Sequence, residues 1–158
     1  MKNFFKTSII TVFFMMVTFP LFAQIQIQQK TYEDIYQIKE GRYHYGVIRV
    51  TDEGIFLCLN TDNQFEDSYA SLFLGKTLES AVKTMDDIIA LPVSNEYIYS
   101  YGMGGTTTKI YKYKSFGQMN LCMEADYVAG EAPCSEKILK MIREALTTLS
   151  LPEGIIRE

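Results

Sequence analysis

Two rhythms of apolar and polar positions divide this chain. Runs rich in aromatic and β-branched residues predict strands over 43–50, 55–61 and 69–74. Thr51-Asp52-Glu53-Gly54 joins the first two with hairpin chemistry, glycine closing the turn, and a loop around Thr61-Asp62-Asn63 leads to the third. The period then lengthens. Leu78, Ala81, Val82, Met85, Ile88 and Ile89 recur at the three- and four-residue spacing that lines one face of a helix. Thr77 suits the N-cap, and Pro92 stops the helix just after Leu91.

The second half follows the same scheme. Strands are expected over 97–101, 107–114 and 119–125, with turns at Gly102-Met103-Gly104-Gly105 and Ser115-Phe116-Gly117-Gln118. A closing helix from about Ser135 places Ile138, Leu139, Met141, Ile142, Ala145, Leu146 and Leu149 on its buried side. Residues 31–39 suit a short helix or a strand, and 24–30 alternate as an edge strand or a loose tail would. The expected fold is α+β: an antiparallel sheet covered on one face by two amphipathic helices, read as two βββα halves. Leu57-Cys58-Leu59-Asn60-Thr61-Asp62 echoes Leu121-Cys122-Met123-Glu124-Ala125-Asp126, with Cys58 and Cys122 at an offset of 64. Duplication and chance both account for so short a likeness.

The N-terminus has another character. Lys2 and Lys6 precede the uncharged apolar run 9–19, Pro20 breaks it, and Ala23 offers a small residue before Gln24. The expectation is a cleaved signal peptide over 1–23 and a single exported domain over 24–158, periplasmic or secreted. The run is shorter than the roughly 20 residues of a spanning helix, so no stable membrane insertion is expected after cleavage. Phe22-Ala23-Gln24 resembles the signal ends of short exported bacterial proteins, a likeness confined to 24 residues that carries no function. Loss of two lysines takes the formal charge from −4 for the whole chain to −6. That acidity argues against nucleic acid and anionic membranes as partners.

Candidate chemistry changes the picture little. Cys58 and Cys122 lie in strand-like apolar runs, where cysteine acts as a small buried hydrophobe, and Cys134 completes the set. One pair among the three would leave one thiol over. His44 is the single histidine, and nothing in the sequence sets it beside a cysteine. Gly75-Lys76-Thr77 lacks the glycine five residues earlier that a phosphate loop needs; Ala70 stands there. Gly102 to Gly105 precedes a strand, whereas a dinucleotide fingerprint opens a helix. Asp86-Asp87 and Glu66-Asp67 do not form a facing acid pair. Glu124 and Asp126, two residues apart on a strand, are the best-placed carboxylates. No metal spacing and no serine-nucleophile elbow occurs, so no cofactor, metal or catalytic residue is expected.

Tyrosine stands above this background, with 11 residues in the chain. Tyr97, Tyr99 and Tyr101 share one face of a strand, and Tyr111 and Tyr113 share a face of its neighbour. In a hairpin these five rings form one aromatic stripe, suited to stacking on a sugar or to a protein interface; packing beneath the helices is the structural alternative. The functional expectation is a non-catalytic binding module of the cell envelope, with a saccharide, a peptide or an envelope protein as its partner. The alternatives are a small envelope hydrolase with carboxylates at Glu124 and Asp126, or a purely structural envelope protein.

Overall fold

The computed structural model of the chain describes residues 32–63, 68–94 and 96–153. The expected signal peptide over 1–23 lies outside the described residues, as do both ends of the expected domain, 24–31 and 154–158. β1 (Tyr32–Glu40), β2 (Tyr43–Thr51), β3 (Ile55–Asn60) and β4 (Tyr69–Gly75) form an antiparallel meander. α1 (Leu78–Ala90) follows. β5 (Ile98–Tyr101), β6 (Thr107–Ser115), β7 (Gln118–Ala125) and β8 (Ala132–Ser135) make a second meander, closed by α2 (Glu136–Leu146). The α+β class thus stands, with eight strands in two four-stranded sheets. Each half is ββββα, one strand more than the sequence indicated.

The helix ends are set by local chemistry. Thr77 and Ser80 form a reciprocal capping box at the start of α1, each side chain meeting the other's backbone N–H at 3.1 Å. Gly75 lets α1 come close to β4, because a Cβ there would stand 2.1 Å from the Ser80 hydroxyl. The Gly75-Lys76-Thr77 sequence therefore serves helix entry. Ser135 caps α2, its hydroxyl accepting the Ile138 N–H at 3.4 Å.

One core joins both halves. Ile48, Val50, Leu57, Leu59, Leu72 and Leu74 from the first sheet meet Leu121 and Met123 from the second, under Met85, Ile88, Ile138 and Ile142 of the helices. All are buried. Lys112 enters this packed side too. Its Nζ donates to the carbonyl of Ile89 at 2.5 Å and lies 3.3 Å from Glu136, tying the end of α1 to the first turn of α2. Outside the core, Arg143 clasps Asp86 through two bonds between the helices.

The second sheet abuts the first at β4. Thr108 Oγ1 donates to the Ser71 carbonyl at 2.6 Å, and the Met103 N–H donates to Ser71 Oγ at 2.8 Å. Tyr127, beyond β7, reaches the same serine hydroxyl at 3.3 Å. These contacts set the β5–β6 turn against β4. No helix among the described residues is long and apolar enough to cross a membrane.

Candidate binding face and cleft

Cross-strand pairing fixes which side chains share the face turned away from the helices. In the second sheet, Tyr99 stands opposite Lys109, which stands opposite Glu124; Tyr101 stands opposite Thr107. One row over, Tyr111 pairs with Cys122 and Cys122 with Pro133. The pairing thus brings all five predicted tyrosines to one face. Tyr97 meets Tyr111 edge-on with ring centroids 5.2 Å apart, and Tyr111 lies 5.8 Å from Tyr113.

The five rings are unequal. Tyr97, Tyr99 and Tyr101 on β5 and just before it are 49%, 65% and 66% exposed, so they form an open row. Tyr111 and Tyr113 are half-buried. Burial, with Cys122 beside it, raises the Tyr111 phenol well above its usual range. Tyr111 is the floor against which Tyr97 stands. None of the five lies beneath the helices.

On the first sheet one cross-strand row reads Asp34, Arg49, Phe56 and Phe73. Arg49 holds Asp34 through two bonds, Nε to Oδ1 at 2.6 Å and Nη2 to Oδ2 at 3.0 Å. Its Nη1 donates to the Tyr69 hydroxyl at 2.9 Å. The guanidinium also lies over the Tyr32 ring at 4.3 Å and the Tyr69 ring at 5.1 Å. Its hydrogen bonds to Asp34, set against partial burial, hold its pKa above the usual arginine range. A cleft of about 140 Å³ opens beside this clamp, lined by Tyr32, Arg49, Thr51, Tyr69 and Met103, with Asp52, Glu53 and Gly104 at its rim toward the neighbouring groove. It continues into a wider groove of about 660 Å³ that takes in Phe73, Lys76, Tyr101 and Gly105. The Gly104 N–H donates to Glu53 Oε2 at 3.2 Å, so the two turns touch across the cleft. Gly104 and Gly105 both hold positive φ, 71° and 74°, which shapes this tip as few other residues would. Tyr101 therefore belongs to the tyrosine row and to the groove at once.

No family model, curated protein or solved structure matches the chain. What the arrangement can do is thus read from its own side chains.

The expected carboxylates lie away from this cleft. Glu124 sits within β7 opposite Lys109, and Asp126 follows the strand's end, its N–H bonded to the Thr107 carbonyl at 3.2 Å. Neither lines the cleft or the groove. The three thiols are free and buried. Cys58 and Cys122 lie on the helix-free faces and Cys134 on the core side, and burial pushes each up to about 12. For Cys122 the neighbouring Glu131, which accepts from its Sγ at 3.5 Å, adds to that effect. His44 approaches Asn60, with Nδ1 3.3 Å from the amide nitrogen. Among the described residues no group of three or more histidine, cysteine or acidic side chains could hold a metal ion.

The sequence reading missed Arg49 and the cleft. Arg49 does leave a signal, as the lone charge in Tyr43-His44-Tyr45-Gly46-Val47-Ile48-Arg49-Val50. The cleft leaves little, because its walls come from two turns some 50 residues apart, at Asp52 and Gly104.

Proposed function

We propose that this protein is an exported, non-catalytic binding module of the bacterial cell envelope. It engages its ligand on the helix-free face of the second sheet. The observation that carries this reading is the open row of Tyr97, Tyr99 and Tyr101, which runs into the groove that Tyr101 lines. Exposed aromatic rings on a strand cost solubility and add little to a core, whereas rings with a polar edge give large contact area to a partner. Export is supported by the charged, apolar and small-residue sequence of 1–23.

A thermal-shift screen against cell-wall fragments, oligosaccharides and peptides tests the reading. A ligand at 100 times its dissociation constant stabilises the fold by about 2.7 kcal/mol, several degrees at this size. The expected result is a shift that Tyr99→Ala abolishes. A shift that survives Tyr99→Ala and Tyr101→Ala would remove the row from the binding site, and no shift with any of these ligands would count against the module itself. Mass spectrometry of the protein recovered from its cell checks export, with a new N-terminus at or near Gln24 expected.

A further inference from the structure

The cleft at the end of the tyrosine row has a charge that the tyrosines do not account for. Arg49 does not set it, because Asp34 pairs with the guanidinium through two bonds. Asp52 and Glu53 on the rim then leave the inner cleft negative, and Lys76, exposed on the outer groove, offsets one charge. Glu53 is held in place by the Gly104 N–H. The walls are aromatic or polarisable: Tyr32, Tyr69 and Met103 inside, Phe73 and Tyr101 outside. Aromatic faces beneath a carboxylate rim complement a cation that carries an apolar stem.

A second feature narrows the class of ligand. β5 ends the second sheet, so among the described residues no strand pairs with its outer edge. Its sequence, Ile98-Tyr99-Ser100-Tyr101, contains no charge or proline, and its pairing with β6 runs without a bulge. Charges, prolines, bulges and shortness are the usual guards of a free edge, and of these β5, at four residues, has only its shortness. Ile98 faces away from the tyrosines, toward the side that carries the core, yet is 44% exposed, so that side is not sealed at β5. An extended peptide can pair with such an edge through its main chain and set alternate side chains over the tyrosine face. A saccharide would use the rings and donate hydroxyls to the rim carboxylates, but it has no main chain to pair with the free edge and no cation for the rim.

We propose that the ligand is an extended peptide segment bearing a lysine or arginine, its main chain along β5 and its cationic side chain in the cleft between Asp52-Glu53 and Gly104-Gly105. This rests on the binding-module reading and names its ligand class.

The test uses protein expressed from the full gene and purified as the cell processes it, labelled with ¹⁵N. Three heptapeptides of alternating threonine and valine carry lysine, glutamine or glutamate at the centre, and an N-acetylglucosamine oligomer serves as the saccharide probe. The lysine peptide is expected to move the amide signals of Glu53, Gly104 and Gly105 and to slow hydrogen exchange within 98–101. It should bind about tenfold more tightly than the glutamine peptide, with the glutamate peptide weakest. The double variant Asp52→Asn, Glu53→Gln keeps the hydrogen bond to Gly104 within reach of an amide oxygen while removing both charges. It should weaken the lysine peptide by about tenfold, the combined effect of two partly exposed charge pairs. Equal binding of all three peptides, or binding that leaves exchange within 98–101 unchanged, would overturn the proposal. Binding of the saccharide alone would also overturn it and leave the tyrosine face standing as a ligand site. Silence with all four probes sinks the peptide proposal, and the thermal-shift screen then decides separately whether the module reading falls with it.

Discussion

Cys58 and Cys122 hold the same position in their two sheets. Cys58 pairs with Val47 across β3 and β2, and Cys122 pairs with Tyr111 across β7 and β6, each residue displaced by 64 from its counterpart. The agreement extends along the whole ladder: Ile48 with Leu57 becomes Lys112 with Leu121, and Val50 with Ile55 becomes Lys114 with Met119. The six-residue echo around the cysteines therefore falls at the same register in two equivalent two-strand units. Register is what such a unit preserves, because a one-residue slip would turn every core side chain outward.

The burial of those thiols has a measurable consequence at high pH. Each is pushed up to about 12 in the folded protein, against roughly 8.5 for an unfolded cysteine. Above pH 8.5 the unfolded chain releases protons that the folded one keeps, so stability falls as pH rises. The slope is about 1.4 kcal/mol per pH unit for each fully deprotonated thiol. Urea titrations at pH 7.5 and pH 9.5 should show this loss, and Cys58→Ala, Cys122→Ala and Cys134→Ala should each make it shallower. A thiol reagent at pH 8 should label none of the three in the folded protein and all three in urea.

Lys112 offers a contrast between a buried and an exposed partner of one acid. Its Nζ is enclosed between the Ile89 carbonyl and Glu136, whereas Lys140 meets the same Glu136 at 2.7 Å from a side chain that is 63% exposed. Lys112→Ala leaves the Ile89 carbonyl without this donor and Glu136 with Lys140 alone, and should cost about 2 kcal/mol. Lys140→Ala should cost less than about 0.5 kcal/mol. Chemical denaturation of the two variants checks the difference, and equal losses would mean that the link between helices carries little.

Much of the fold is legible in the sequence. β2, β3, β6 and β7 show as aromatic and β-branched runs between turns, and both helices show a clear apolar stripe and a capping residue. β1 was ambiguous between helix and strand because register shifts between Asp34 and Tyr36, and between Ile38 and Lys39, break its alternation. β8 leaves no strand signal in the sequence. It is four residues with Pro133 among them, and it pairs on one side only, an edge position where proline is tolerated. The division into two sheets depends on how Thr108 and Met103 meet Ser71, contacts that no local pattern encodes. The tyrosine face follows from strand alternation and was legible; the cleft needs two distant turns brought together and was not.

Phe116 marks a position where local conformation and residue type disagree. It is fully exposed in the two-residue turn between β6 and β7, with φ of 49° followed by 81° at Gly117. Two positive φ values define the hairpin turn that prefers asparagine followed by glycine. Phe116→Asn should therefore stabilise the protein, by about 0.5–1 kcal/mol. A rise in the urea midpoint with unchanged slope would bear this out, and a fall would show that the ring does more than stand in water.

The tyrosines divide into a structural and a presented set, and this division separates binding from stability. Tyr111 packs against Tyr97 and beside buried Cys122, so Tyr111→Ala opens a gap in a packed layer and should cost about 2–3 kcal/mol. Tyr99 and Tyr101 stand about two-thirds exposed opposite Lys109 and Thr107, and their removal should cost less than about 0.5–1 kcal/mol. If the face exists for stability, losses should follow burial and every variant that binds less should also melt earlier. If it exists for a ligand, Tyr99→Ala and Tyr101→Ala should leave the melting temperature nearly unchanged and abolish the ligand-induced shift. Tyr101→Ala should have a further effect that Tyr99→Ala lacks, since only Tyr101 lines the groove, and it should weaken the preference for a cationic side chain. Melting curves of the three variants, each with and without ligand, distinguish a sheet that needs these rings from one that displays them.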